Sequence, residues 1–149
     1  MDPLFYSHLV EFATPEFDEA FKLRNEILCK PLNIEFTPDD IAAEYNSFHV
    51  GCYTFDDQEL VGILILVPIN TNNVKMRQVA VQSAWQGKGV GKFLVKESEK
   101  IAKANGFKKM EMNARDTAVP FYTGLGYTIE GTKFTEVGID HYFMSKNLD

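Results

Sequence analysis

The feature that most constrains this chain is the run Val79-Ala80-Val81-Gln82-Ser83-Ala84-Trp85-Gln86-Gly87-Lys88-Gly89-Val90-Gly91-Lys92, where a strand passes into a helix through a glycine-rich turn. Val90, Phe93, Leu94, Ile101 and Ala102 then share one face at helical period, so the first turn of the helix lies inside the motif. The first four N–H groups of a helix lack intrahelical partners and carry the positive end of its dipole. Glycines leave those groups uncovered. The turn therefore reads as a cradle for a pyrophosphate, with Lys88 and Lys92 adding positive charge.

Spacing excludes two other phosphate loops. A Walker A loop needs Gly-x-x-x-x-Gly-Lys followed by Ser or Thr, whereas Gly91-Lys92 is followed by Phe93 and preceded at the required distance by Gln86. A dinucleotide fingerprint needs Gly-x-Gly-x-x-Gly with an acid further on. Glu111 is suitably distant, but Gly87, Gly89 and Gly91 are one residue short.

The 149 residues, 45% of them hydrophobic, suit one domain over 1–149 with a single core. A net charge of −6 without a long basic run argues against nucleic acid as a partner. Cys29 and Cys52 have neither metal-ligand spacing nor the density of a disulfide scaffold, so two reduced thiols and no metal are expected. The start, Met1-Asp2-Pro3-Leu4-Phe5, lacks the basic and apolar regions of a signal peptide, and the longest apolar run, residues 60–69, is too short for a bilayer. These features predict a cytoplasmic protein that does not enter membranes.

Residues 4–12 alternate as an edge strand, and Thr14-Pro15-Glu16 opens an amphipathic helix that runs to Pro31. A loop over residues 30–36 leads to a second start signal, Thr37-Pro38-Asp39-Asp40, and a short helix through Ala43. Strands are expected at 48–55, 60–68 and 74–81, the first two as a hairpin around Asp56-Asp57-Gln58-Glu59. Asn105-Gly106 ends the long helix. A strand at 108–113, a short helix at 117–125, and an antiparallel pair formed by 127–131 and 134–148 complete the chain.

Gln86-Gly87-Lys88-Gly89-Val90-Gly91 resembles the acyl-CoA loop of the GNAT superfamily of N-acetyltransferases, Gln or Arg, two residues, Gly, one residue, then Gly or Ala. Ala118-Val119-Pro120-Phe121-Tyr122-Thr123-Gly124-Leu125-Gly126-Tyr127 is similar to the family's Ala-x-x-Phe-Tyr-x-x-x-Gly-Phe/Tyr segment. The two blocks cover roughly residues 73–131, and the order of elements agrees with the GNAT fold. The resemblance implies an α/β (α+β) architecture: a mixed, mostly antiparallel central sheet, splayed at the CoA site and flanked by helices. It further implies acetyl-CoA as cosubstrate, an amine acceptor, and direct attack in a ternary complex. A homodimer paired through the terminal strands stays open.

By the same resemblance, Val79, Ala80 and Val81 carry the backbone that pairs the pantetheine arm, Gln86 through Lys92 hold the pyrophosphate, and Tyr122 protonates the departing thiolate. A phenol of ordinary pKa ~10 suits that task. Two departures stand out. The family's Asn, three residues before the alanine, is replaced by Arg115, with Asn113 two positions earlier; both are retained as cofactor-binding candidates. The central strand, Lys75-Met76-Arg77-Gln78-Val79-Ala80-Val81, holds no carboxylate to serve as base. Imidazole titrates near neutrality, which makes His141 the leading candidate, with His49 and Glu44 behind it. Arg24, Asn25 and Glu26 read as a solvated helix face beside the acceptor site. The missing carboxylate also keeps a different class open, a non-catalytic CoA-binding sensor or interaction module.

Overall fold

The longest apolar run of the chain becomes the middle of a sheet. In the computed structural model, which describes residues 4–32, 38–42 and 44–148, strand β3 (Leu60–Pro68) is buried on both faces from residue 61 to 66, so it shows no polar alternation. Around it lie β1 (Phe5–Val10), β2 (Phe48–Thr54), β4 (Asn73–Val81), β5 (Lys109–Arg115), β6 (Thr128–Ile129), β7 (Phe134–Glu136) and β8 (Ile139–Asn147). The spatial order is β1-β2-β3-β4-β5-β8-β6, with β7 also paired to β8. Every neighbouring pair is antiparallel except β4 with β5. The fold is thus the expected mixed, mostly antiparallel sheet with helices on its faces.

Helix α1 (Pro15–Arg24) starts as its residues dictate. Pro15 occupies the first turn, and the Thr14 hydroxyl accepts the Phe17 N–H at 3.3 Å. Past Arg24 the helix widens into a π-helical turn, Asn25–Cys29, and then tightens into a 3-10 turn, Lys30–Leu32. The short helix α2 (Pro38–Ala42) follows; its Thr37 start signal, Ala43 and the loop residues 33–36 lie outside the described residues.

Helix α3 (Val90–Ala104) packs Val90, Leu94, Val95 and Ala102 on one face of the sheet, against Val61, Leu64 and Leu66 of β3 and Met110 and Met112 of β5. On the opposite face, Ala20 and Leu23 of α1 meet Ile63 and Ala80. The expected terminal pair is more finely divided. The segment 134–148 folds on itself at Val137-Gly138, both at positive φ (54° and 73°), a two-residue turn joining β7 to β8. A β-branched residue is a poor donor of that geometry, so no turn signal marks it.

Gly62 sets how closely α3 approaches. A Cβ there would lie 2.6 Å from Val90 Cγ1 and 2.8 Å from Leu94 Cδ1, and Gly62 pairs with Val81 at the end of β4. Because Val90 is stiff at χ1, the helix itself must shift to admit a methyl group. Gly62→Ala should therefore cost about 1–3 kcal/mol as overpacking. A thermal melt should show Tm lower by several degrees; an unchanged Tm would mean that the contact is slack.

Candidate active site

Strands β4 and β5 pair in parallel only over Asn73–Lys75 and Lys109–Glu111, and beyond that register a cleft of about 620 Å³ opens between them. Met76, Gln78 and Val79 line it from β4, and Met112, Asn113, Ala114 and Arg115 from β5. Ala118 and Tyr122 line it as well. Leu28, Cys29 and Leu32, from the turns after α1, form another wall with Asp40 and Glu44, while Glu136, Val137, Ile139 and His141 come from the terminal hairpin.

The splay has a local cause in β4. Ile65 pairs with Arg77 and Ile63 with Ala80, so Leu64 alone faces both Gln78 and Val79. This is a β-bulge, which bends a strand and leaves one residue outside the ladder. Gln78 takes φ 54°, a left-handed conformation that costs a non-glycine residue on the order of 1–3 kcal/mol. Something must hold it there. Arg24 Nη1 donates to Gln78 Oε1 at 2.8 Å and to Glu44 Oε2 at 2.7 Å, and Arg24 Nη2 donates to Glu44 Oε1 at 2.9 Å. Arg24 is fully buried, not on a solvated face as its charge suggests.

Downstream of Val81 the chain enters the glycine turn. Gln86 Nε2 donates to the Val81 carbonyl at 3.1 Å, folding the turn back on the strand. Gly87 and Gly89 have positive φ (76° and 89°), and a Cβ on either would meet nothing within 4 Å. Gly89 is the N-cap of α3, which has no side-chain cap and no acidic residue in its first turn. The N–H groups of Gly89, Val90, Gly91 and Lys92 thus begin the helix without a partner from its own backbone. Lys88 Nζ lies 5.5 Å from the Trp85 ring, and Lys92 is exposed. An uncapped helix start under open space is suited to an anion.

Tyr122 is buried at the cleft by helix α4 (Val119–Gly124), with Pro120 in its first turn. Its ring meets Phe121 and Tyr127 edge-on at 5.0 and 5.9 Å. Burial pushes its phenol up to about 12, so the hydroxyl stays protonated and remains a donor.

The three candidate bases are placed differently. His141 lines the cleft, with Nδ1 2.8 Å from the Ile139 carbonyl and its ring stacked on Phe134 at 5.8 Å. A carbonyl only accepts, so Nδ1 carries the hydrogen and the neutral ring keeps its lone pair on Nε2. His49 lies outside the cleft lining, near Phe12 and Phe17, with Nε2 3.2 Å from the Glu44 carbonyl. Burial lowers its pKa. Glu44 reaches the cleft, but both its oxygens engage Arg24. Asn113 Nδ2 donates to Glu136 at 3.2 Å, binding β5 to β7, and Arg115 lines the cleft opposite His141 in register. Cys29 also faces the cleft, its thiol pKa raised by burial.

Two contributors carry signals of unequal strength. Arg24 falls at helical spacing on the stripe Phe17, Ala20, Arg24, which marks it as inward-facing. Nothing in residue type predicts the left-handed Gln78.

The model of the acetyltransferase (GNAT) domain matches residues 35–148. The uncharacterized N-acetyltransferase YjcF of Bacillus subtilis is 29% identical over 133 residues, which span 89% of this chain and 93% of the relative. An acyl-CoA N-acyltransferase from Pseudomonas aeruginosa superposes with TM-score 0.80 at 18% identity, covering 95% of this chain and 99% of that one. A GNAT family acetyltransferase from Elizabethkingia anophelis, with acetyl-CoA bound, gives TM-score 0.76 at 17% identity over 99% and 100% of the two chains. With the domain match spanning most of its length and the fold shared throughout, the chain belongs to the GNAT acetyltransferase family.

Proposed function

We propose that the protein moves an acetyl group from acetyl-CoA to an amine acceptor by direct attack in a ternary complex. The observation that carries this is the splayed β4–β5 cleft, with Tyr122 inside it and the uncapped start of α3 beyond Val81. The bound acetyl-CoA of the Elizabethkingia anophelis neighbour supports the same cosubstrate here. Residues 86–92 hold the pyrophosphate on backbone N–H groups, and Val79, Ala80 and Val81 offer the open strand edge to the pantetheine arm. Asn113 and Arg115 flank that arm from β5.

In this scheme His141 Nε2 takes the proton from the attacking amine, nitrogen bonds to the acetyl carbonyl carbon, and the carbon–sulfur bond breaks. The Tyr122 hydroxyl then gives its proton to the departing sulfur. Acidic Glu136 and basic Arg115 both line the cleft, so an acceptor entering it meets both charges.

The test follows thiol release from acetyl-CoA against a panel of small amines, amino acids, polyamines and peptides. One acceptor class should stimulate release. His141→Gln should lower kcat up to about 10²-fold at neutral pH. That deficit should narrow as pH rises, because solvent then deprotonates the amine without the imidazole. Tight binding of acetyl-CoA with no stimulation by any acceptor would favour a sensing module; no binding at all would remove the proposal.

A further inference from the structure

Resting on acetyl transfer in the cleft as proposed above, we infer that Arg24 is a positioning residue for the reaction: through Gln78 it holds the β4 bulge in the conformation that presents the strand's backbone to the acyl carbonyl. The pieces are a buried cation, a left-handed glutamine and the cleft beside them.

A guanidinium wholly removed from water persists only where its hydrogens are well used. Glu44 alone would serve a stabilising ion pair, since it engages both terminal nitrogens, at 2.7 and 2.9 Å. Arg24 does more. The same Nη1 reaches across to β4 and donates to Gln78 Oε1 at 2.8 Å. Among the described residues, the non-glycine positions with positive φ are Ala13, Gln58, Gln78 and Val137, and Gln78 is the one inside a strand. Its amide is thus anchored at the place where the backbone is least willing to stay.

The consequence falls on the next residue. The two-against-one count opposite Leu64 would persist if Gln78 relaxed from φ 54°, but the peptide group joining Gln78 to Val79 would turn, and the Val79 N–H would be re-aimed. With the bulge in place, one residue is left outside the ladder, and Val79 lines the cleft. A backbone N–H set there in advance polarises a carbonyl more effectively than one that must reorganise. Arg24 touches no reacting atom in this account. It joins α1, the Glu44 wall and the bulge through one set of part-buried hydrogen bonds.

The test observes acetyl-CoA carrying carbon-13 at the acetyl carbonyl, bound to the whole protein. Binding to the wild-type protein should move the carbonyl resonance downfield, the signature of polarisation. Gln78→Leu removes the anchor and keeps the backbone penalty, so the shift should be lost while affinity for acetyl-CoA stays within about threefold. Gln78→Gly lacks the anchor too, but glycine adopts positive φ freely, so it should lose less of the shift than the leucine variant. Arg24→Lys keeps the charge on Glu44 but gives up the planar fork, so it should lose part of the shift. That loss should vanish when Arg24→Lys is combined with Gln78→Gly. A wild-type shift in Gln78→Leu, or equal losses in the leucine and glycine variants, would overturn the inference. If the wild-type protein bound acetyl-CoA with no carbonyl shift, the bulge would have no polarising role and the inference would fall while cosubstrate binding stood. Absence of binding by the wild-type protein would defeat the acetyl-transfer reading itself, and this inference with it.

Discussion

Replacement of Tyr122 by phenylalanine is expected to lower kcat about 10²- to 10³-fold, with KM for acetyl-CoA little changed. The ring contacts with Phe121 and Tyr127 survive the exchange, and one oxygen in the cleft is lost. A general acid acts mainly in the transition state, so its loss falls on kcat rather than on cosubstrate binding. Burial holds the phenol up to about 12, above the ordinary range of a thiolate. In the proposed scheme the proton still passes to sulfur, because the same dry cleft disfavours a thiolate as well as a phenolate. It follows that Tyr122 should impose no alkaline limb on kcat below about pH 11, since the phenol stays protonated through that interval. Steady-state kinetics of the two proteins across pH 6–10 would decide the matter. A kcat within fivefold of wild type would reduce Tyr122 to a packing residue beside the core.

How much of this was legible in the sequence depends on whether the information is local. The glycine turn and the helix behind it were legible because glycine spacing, an apolar stripe and a helix start all act within one stretch of chain, and α3 begins at Val90 inside the motif as expected. Thr14-Pro15 likewise marks a real helix start. The β7–β8 turn was not legible, because Val137 contradicts the turn chemistry that would reveal it. Gln78 is further from reach: its conformation is held by Arg24, 54 residues away in sequence, so no local preference encodes it. His49 and His141 have the same chemistry and both lie in strands, and what separates them is environment. The first is buried against Phe12, Phe17 and the Glu44 carbonyl; the second faces the cleft. Period-two alternation places residues on faces, but it does not say which face a distant helix covers.

Gly89→Val should raise the dissociation constant for CoA roughly 10²-fold or more, the loss of two charge-assisted hydrogen bonds from the pyrophosphate. The substitution brings together two separable effects. Gly89 sits at φ 89°, so any side chain strains the backbone, but a Cβ there meets nothing within 4 Å and the fold has room for it. The new side chain instead occupies the space above the N–H groups of residues 89–92, where a phosphate would lie. Gly106, at the opposite end of α3, supplies the control. Its φ of 87° and its open surroundings match those of Gly89, yet it adjoins the carbonyl end of the helix, whose dipole repels anions. Gly106→Val should therefore lower Tm to a similar degree while leaving CoA affinity within about twofold. Calorimetric titration of both variants distinguishes the outcomes: equal loss of affinity would trace the effect to backbone strain transmitted through α3, and loss confined to Gly89→Val would locate the anion at the helix start.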